Sequence, residues 1–423
     1  MTAKTASRRS PRATPAVPAP AGGDPLADVV SAQYEQWVYP QPIVDLPGWL
    51  ENNWQWFDPA HAHPLFWPAA DYRPDMDILI AGCGTNQAAV IAHTNPGARI
   101  VAIDISQTSL DHHRWLKDRY ALDNLELHRL PIEDAAALGR TFDLILSTGV
   151  LHHMASPEQG ARALASCLAP DGVMALMLYA RYGRIGVEIL QSVYRDLGLG
   201  RDAPSLGLVR ESLGALPPDH PIHPYMNVAP DLQYDAGLID TFLHGRDRSF
   251  TIDDCRALVE GVGLVFQDLF FKAPYYPHGP AGSAFATALS ALPEARQWSI
   301  MERVNTRNAC HFFIACHADR PKADYRIDFA APDAASLVPM LRHRCRHEGN
   351  RLMRQDWAMP LDAIQHALVT QMDSQRSIAQ IAAAARAAGA LPMLPPADFE
   401  RTACNIFQSL WCLDIVTMRI ARE

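Results

Sequence analysis

Three groups of residues carry side chains and spacings from which chemistry can be built. The first is Gly82-Cys83-Gly84, which breaks the apolar run Ile78 to Ala81. Glycines let the backbone turn sharply and approach a ligand closely. The helical pattern from Gln87 to His93 would aim free N–H groups at that ligand, with Asn86 and Gln87 next to it. The second is Asp104. It ends another apolar run, Arg99 to Ile103, about twenty residues after the turn, where a carboxylate accepts both hydroxyls of a ribose. The third follows the run that opens at Phe142: Ser147-Thr148-Gly149, then His152-His153, where one imidazole could serve as a general base. This is the grammar of a nucleoside-containing cofactor on a doubly wound sheet. A dinucleotide is disfavoured, because its fingerprint needs a third glycine where Gln87 stands.

At these residues the chain resembles the class I S-adenosylmethionine-dependent methyltransferases. AGCGTNQ matches their first motif, Asp104 their ribose-binding acid, FDLILSTGVLHH the strand and loop beside the transfer site, and LAPDGVMALMLYA the following turn and fifth strand. The resemblance runs from about residue 75 to 180 and resumes more loosely to about 317. It implies an α/β fold: a Rossmann-like seven-stranded sheet with helices on both faces. It also implies S-adenosyl-L-methionine as cofactor, S-adenosyl-L-homocysteine as product, and no metal. Gly82, Cys83, Gly84, Asn86, Gln87, Asp104 and Ile105 would surround that cofactor. Ser147, Thr148 and Gly149 would line its methionine part, and Ile132 with Glu133 would meet the adenine. Asp134 also reads as a helix N-cap for AAALG. In this family GVLHH often packs against the methionine part, so His152 and His153 carry a structural reading beside the catalytic one. The loop lacks the motifs that methylate DNA bases.

The elements that must position these groups come next. Residues 24–74 are dense in aromatics and hold five of the nine tryptophans. Tyr34, Glu35, Tyr39 and Pro40 resemble a lid that folds over the cofactor, where aromatic faces attract a sulfonium and exclude water. The rings read equally as a cap on the sheet edge. The methyltransferase domain spans 75–318, with insertions at 181–250 and 272–308. The first insertion offers Asp240, His244 and Arg246 as substrate contacts, Asp240 and His244 sharing a helical face at i,i+4, or else forming a solvated helix end. Tyr179, Tyr182, Arg184, His220 and His223 are further candidates, and the tip Tyr275 to His278 is another. Cys310, His311, Cys316 and His317 alternate along a strand and read as core. Residues 319–423 read as a small, mainly helical appendage whose basic run (Arg342, Arg344, Arg346, Arg351) reads first as a solvated surface, with an anion contact or a dimer contact as alternatives. The spacing of His343, Cys345 and His347 does not suit zinc.

Composition bounds the rest. The 423 residues carry a net charge of −9, which argues against a nucleic-acid surface. The eight cysteines show no paired spacing, as in a cytoplasmic, bacterial-like enzyme. No apolar run reaches the roughly 18 residues of a membrane span. Residues 1–23, rich in Ala and Pro, read as disordered. The expected partner is a small-molecule methyl acceptor through O, N or S, a small thiol included, in a closed pocket. A homodimer is left open. The alternatives are a protein or RNA acceptor docked by the appendage, and a non-catalytic cofactor sensor.

Overall fold

Runs of Ile, Leu, Val and Ala with no polar alternation become strands buried on both faces, because parallel strands are covered on each side by helices. They are β1 (Asp77–Ala81), β2 (Arg99–Asp104) and β4 (Phe142–Thr148), beside the edge strand β3 (Leu125–Arg129), which alternates and buries only Leu125. With β5 (Leu168–Tyr179), β6 (Leu264–Leu269) and β7 (Cys310–His317) they form one seven-stranded sheet in the order β3-β2-β1-β4-β5-β7-β6. β7 runs antiparallel to both neighbours. This is the Rossmann-like methyltransferase architecture. The computed structural model describes residues 25–277, 283–355, 357–390 and 394–421; the segment 1–23, Asp24 and His278 lie outside them.

Strand alternation divides the interior into two layers. Leu79, Val101 and Ile145 point to one side, with Ala161 and Leu164 of the helix Pro157–Ser166 and Cys255 of the helix Ile252–Glu260. Ile78, Ile80 and Ile100 point to the other, with Ala88 and Ile91 of the helix Gln87–Thr94 and Leu110 and Leu116 of the helix Gln107–Tyr120. Each fully buried aliphatic side chain contributes about 1.5–3 kcal/mol. The strand order reverses between β1 and β4, so the crevice for ligands opens at their C-terminal ends, where the glycine turn and Gly149 lie.

The insertion after β5 builds its own core from Val187, Leu190, Tyr194, Leu238, Ile239 and Phe242. Its helices include Ile185–Asp196 and Asp235–Phe242. Among its described residues the C-terminal segment has three α-helices, Ala363–Val369, Ile378–Ala387 and Pro396–Cys412, and also five short strands that its basic sequence conceals. β8 (Val338–Leu341) pairs with β12 (Val416–Arg419), while β9 (Arg346–Glu348), β10 (Arg351–Arg354) and β11 (Trp357–Pro360) form a meander. Phe399, Phe407 and Met418 join the same apolar cluster as Leu79 and Met174, so the segment is packed into the molecule. The reading of its basic run as solvated surface fails at two positions. Arg342 is buried, 2.5 Å from Asp414, and donates to the Phe270 carbonyl. Arg344 donates to the carbonyls of Leu50, Asn52 and Asn53, at the C-terminal end of the helix Leu46–Asn52 where a cation is favoured.

Candidate active site

β1 delivers the chain into the glycine turn, and both glycines are required there. Gly82 has φ +78° and a Cβ would stand 2.4 Å from Val150; Gly84 has φ +53° and a Cβ would stand 3.0 Å from Cδ of Pro40. The Asp104 carboxylate accepts from the Gly84 N–H and the Ser106 N–H, each at 2.9 Å. Burial outweighs these donors and pushes Asp104 up to about 6. An ionised carboxylate has about four lone-pair sites, and those its protein donors leave over would meet ribose hydroxyls. Beside it, the Ile105 carbonyl accepts from Arg129. The Cys83 thiol is buried and packs into the core behind the turn, its pKa raised well above the ordinary thiol value by burial.

Gln87 donates to the Thr148 hydroxyl at 3.0 Å, joining the turn to the end of β4. Gly149 has φ +77°, and the buried Ser147 hydroxyl has no partner among the described residues. That orphaned hydroxyl, the left-handed glycine turn and the remaining lone pairs of Asp104 suit a nucleoside with a polar amino-acid tail. Ile132 is buried, and burial raises the half-buried Glu133. The N-cap reading of Asp134 is incorrect. The segment Ile132–Leu138 is a 3-10 helix with Pro131 at its cap, and Asp134 is exposed within it.

The N-terminal segment lies directly on this cradle. Thr85 donates to the Pro40 carbonyl at 2.7 Å. Asn86 accepts from the Ile43 N–H and donates to the Gln41 carbonyl, so its amide fastens that segment. Glu35 receives the Gln107 N–H at 2.5 Å and the Thr108 hydroxyl at 2.6 Å, capping the helix that follows Asp104. Tyr39 donates to Asp231 at 2.9 Å.

Past the cradle the chain assembles a buried cluster of polar and aromatic side chains around Asp240. Tyr34 donates to one oxygen of Asp240 at 2.8 Å, and Tyr179 donates to the other at 3.1 Å. Burial raises the pKa of Asp240 and of both phenols. His244 Nε2 lies 3.4 Å from the Tyr34 hydroxyl, and its ring stacks on His153 at 3.8 Å. The helix carrying Asp240 ends at Phe242, so Asp240 and His244 meet at Tyr34 by the chain's turn past the helix end, and not on a shared helical face. The solvated-end reading also fails, since Asp240 is 2 % exposed.

Backbone contacts assign the imidazole tautomers. His153 Nδ1 lies 2.9 Å from the Arg246 carbonyl, so it carries the proton and leaves the Nε2 lone pair free. His244 Nδ1 accepts from the Arg246 N–H and His152 Nδ1 from the Tyr179 N–H, so in both the proton sits on Nε2. Neither Nε2 of His152 nor that of His153 has a partner among the described residues, and both rings are buried. Burial holds His244 down at about 2 and His152 well below the ordinary range, so both are neutral. Two trios, His153/Asp240/His244 and His152/His153/Asp247, bring metal-ligand atoms within 4.8 Å of one another. Each contains an imidazole whose Nε2 is protonated and whose Nδ1 is occupied, so neither presents three lone pairs to an ion.

The remaining candidates separate. The Arg246 guanidinium makes a bidentate pair with Asp28 at 2.9 and 3.1 Å. Arg184 is buried on the Tyr179 ring at 3.6 Å, bonded to Tyr225 and Asp247. His220 and His223 make local bonds, to the Ile222 N–H and the Pro217 carbonyl. The tip does not reach this cluster with its described residues: Tyr275 is bonded to His311 and Tyr276 to Glu294. Asp28, Asp231 and Asp247 escape sequence reasoning, because no local motif marks them and only tertiary contact gives them partners.

Residues 79–174 match the family model for a methyltransferase domain. An uncharacterised protein of Synechococcus sp. is 32% identical over 316 residues, covering 71% of this chain and 74% of that one. The tRNA 5-carboxymethoxyuridine methyltransferase of Escherichia coli is 28% identical over 151 residues, and the match spans 35% of this chain and 55% of that enzyme. Among solved structures, PKMT2 from Rickettsia typhi superposes with a TM-score of 0.64 at 16% identity, covering 86% of this chain and 76% of that one. Its complex with AdoHcy superposes with a TM-score of 0.62 at 15% identity, over the same shares of the two chains.

Proposed function

We infer that this chain, which belongs to the class I S-adenosylmethionine-dependent methyltransferases, methylates a small-molecule acceptor held at the cluster around Asp240. The observation that carries this reading is the closure of the site: Pro40 rests on Gly84, while Tyr34 and Tyr179 converge on a carboxylate only 2 % exposed. An open groove for a macromolecule would leave these groups in water.

The Gly82–Gly84 turn, Asp104, Ser147 and Gly149 would hold the cofactor, with Ile132 and Glu133 at the adenine. When bound, the cofactor supplies an electrophilic methyl group on a sulfonium. The protein's share is alignment and dryness. Tyr34, Tyr39 and Pro40 cover the cradle, and a positioned acceptor reacts as an effectively unimolecular partner. His153 is the base, because its Nε2 lone pair is free while Nδ1–H is pinned to the Arg246 carbonyl. His152 and His244, protonated on Nε2, act as donors and packing. No helix among the described residues is long and apolar enough to cross a membrane. All eight cysteines carry free thiols, which supports placement in the cytoplasm.

The test is calorimetric titration with S-adenosylhomocysteine, followed by turnover of a library of small O-, N- and S-acceptors. Tight binding with turnover of library members is expected. Tight binding with no turnover of any of them would overturn the small-molecule reading.

A further inference from the structure

We propose that the acceptor is an amine, received in its ammonium form by the carboxylate of Asp240. This rests on the small-molecule reading above and narrows it. The charges of the cluster decide between acceptor classes. Of the arginines near it, Arg184 pairs with Asp247 at 3.0 Å and Arg246 with Asp28 at 2.9 Å, while Arg201 donates to the Val29 carbonyl and the Gln33 side-chain oxygen. An anionic acceptor, carboxylate or thiolate, would meet the like charge of Asp240, whose direct partners are two neutral tyrosine hydroxyls. Asp240 has one tyrosine O–H on each oxygen, which leaves lone pairs on both for an N–H donor. A charge-assisted bond from an ammonium is about twice as strong as the neutral bond an alcohol could offer.

His153 completes the site, because an ammonium has no lone pair until it loses a proton. The N–H bond breaks and the proton goes to His153 Nε2. The freed nitrogen pair forms the N–CH₃ bond as the S–CH₃ bond breaks, and that bond's electrons remain on sulfur. The products are an N-methylated ammonium, neutral S-adenosylhomocysteine and a His153 imidazolium, which returns its proton to solvent. The total charge of +2 on ammonium and sulfonium is conserved on methylammonium and imidazolium.

The experiment sorts the acceptor library by class and adds a binding readout. Turnover confined to primary and secondary amines is expected. Asp240→Asn should weaken binding of the best amine to the protein saturated with S-adenosylhomocysteine by at least about tenfold, because the neutral amide loses the charge-assisted bond. S-adenosylhomocysteine itself should bind Asp240→Asn about as tightly as wild type. His153→Gln, should the asparagine variant not fold, should keep amine binding and lose about 10²-fold in kcat. Turnover of alcohols, thiols or carboxylates with inert amines would overturn the amine assignment and leave the small-molecule reading intact. Cofactor binding with no turnover anywhere would remove both.

Discussion

Asp104 and His153 show how a single residue's surroundings set its chemistry. Asp104 is held up at about 6 because burial disfavours its charge more than its backbone donors favour it. Ribose hydroxyls would bond the ionised form, so binding should draw the proton off. Affinity for S-adenosylhomocysteine should therefore rise about tenfold between pH 5 and pH 7.5 and then level, while Asp104→Asn should bind weakly and with little pH dependence. A flat wild-type profile in calorimetry would contradict the ribose assignment. The same shift has a stability consequence of definite sign. An acid whose folded pKa is raised is most favourable to folding below its unfolded value near 3.8, and it loses that contribution as pH rises through about 6. Asp104→Asn should thus gain stability relative to wild type over that window. If His153 is the base we propose, its replacement with glutamine should lower kcat by about 10²-fold and leave cofactor affinity unchanged, as stopped-time assays with saturating cofactor would show.

At the scale of elements, the site depends on segments remote in sequence being tied together. Glu35 caps the helix after Asp104, Thr85 and Asn86 grip residues 40 to 43, and Arg344 holds the end of the helix Leu46–Asn52. Arg344→Ala should leave the sheet intact and raise amide hydrogen exchange within residues 46–53; unaltered exchange there would mean that the guanidinium is dispensable. The sheet was legible because buried parallel strands are written as unbroken apolar runs, as at Ile78–Ala81 and Leu144–Leu146. The helix Gln107–Tyr120 was legible from Leu110 and Leu116 amid polar residues. The strands β9 to β11 were not, because short strands among Arg, His and Glu carry neither an apolar run nor a clear alternation. The glycine turn announced itself by composition. The bonds of Asp240 to Tyr34 and Tyr179 are set by tertiary packing across 206 and 61 residues, which no local pattern encodes.

The whole molecule is a sheet with coverings at both ends of its binding crevice. The N-terminal segment lies over the glycine turn, the first insertion supplies Asp240 and His244, and the C-terminal segment shares the main apolar cluster and pins the N-terminal segment in place. Such enclosure suits an acceptor small enough to be surrounded. The direct test is to supply the intact protein with S-adenosylmethionine labelled in its methyl group and a bacterial extract, then separate small molecules from protein and RNA. Label in the low-molecular-weight fraction, lost with His153→Gln, is the predicted result. Label retained on protein or RNA, with none on small molecules, would contradict the account.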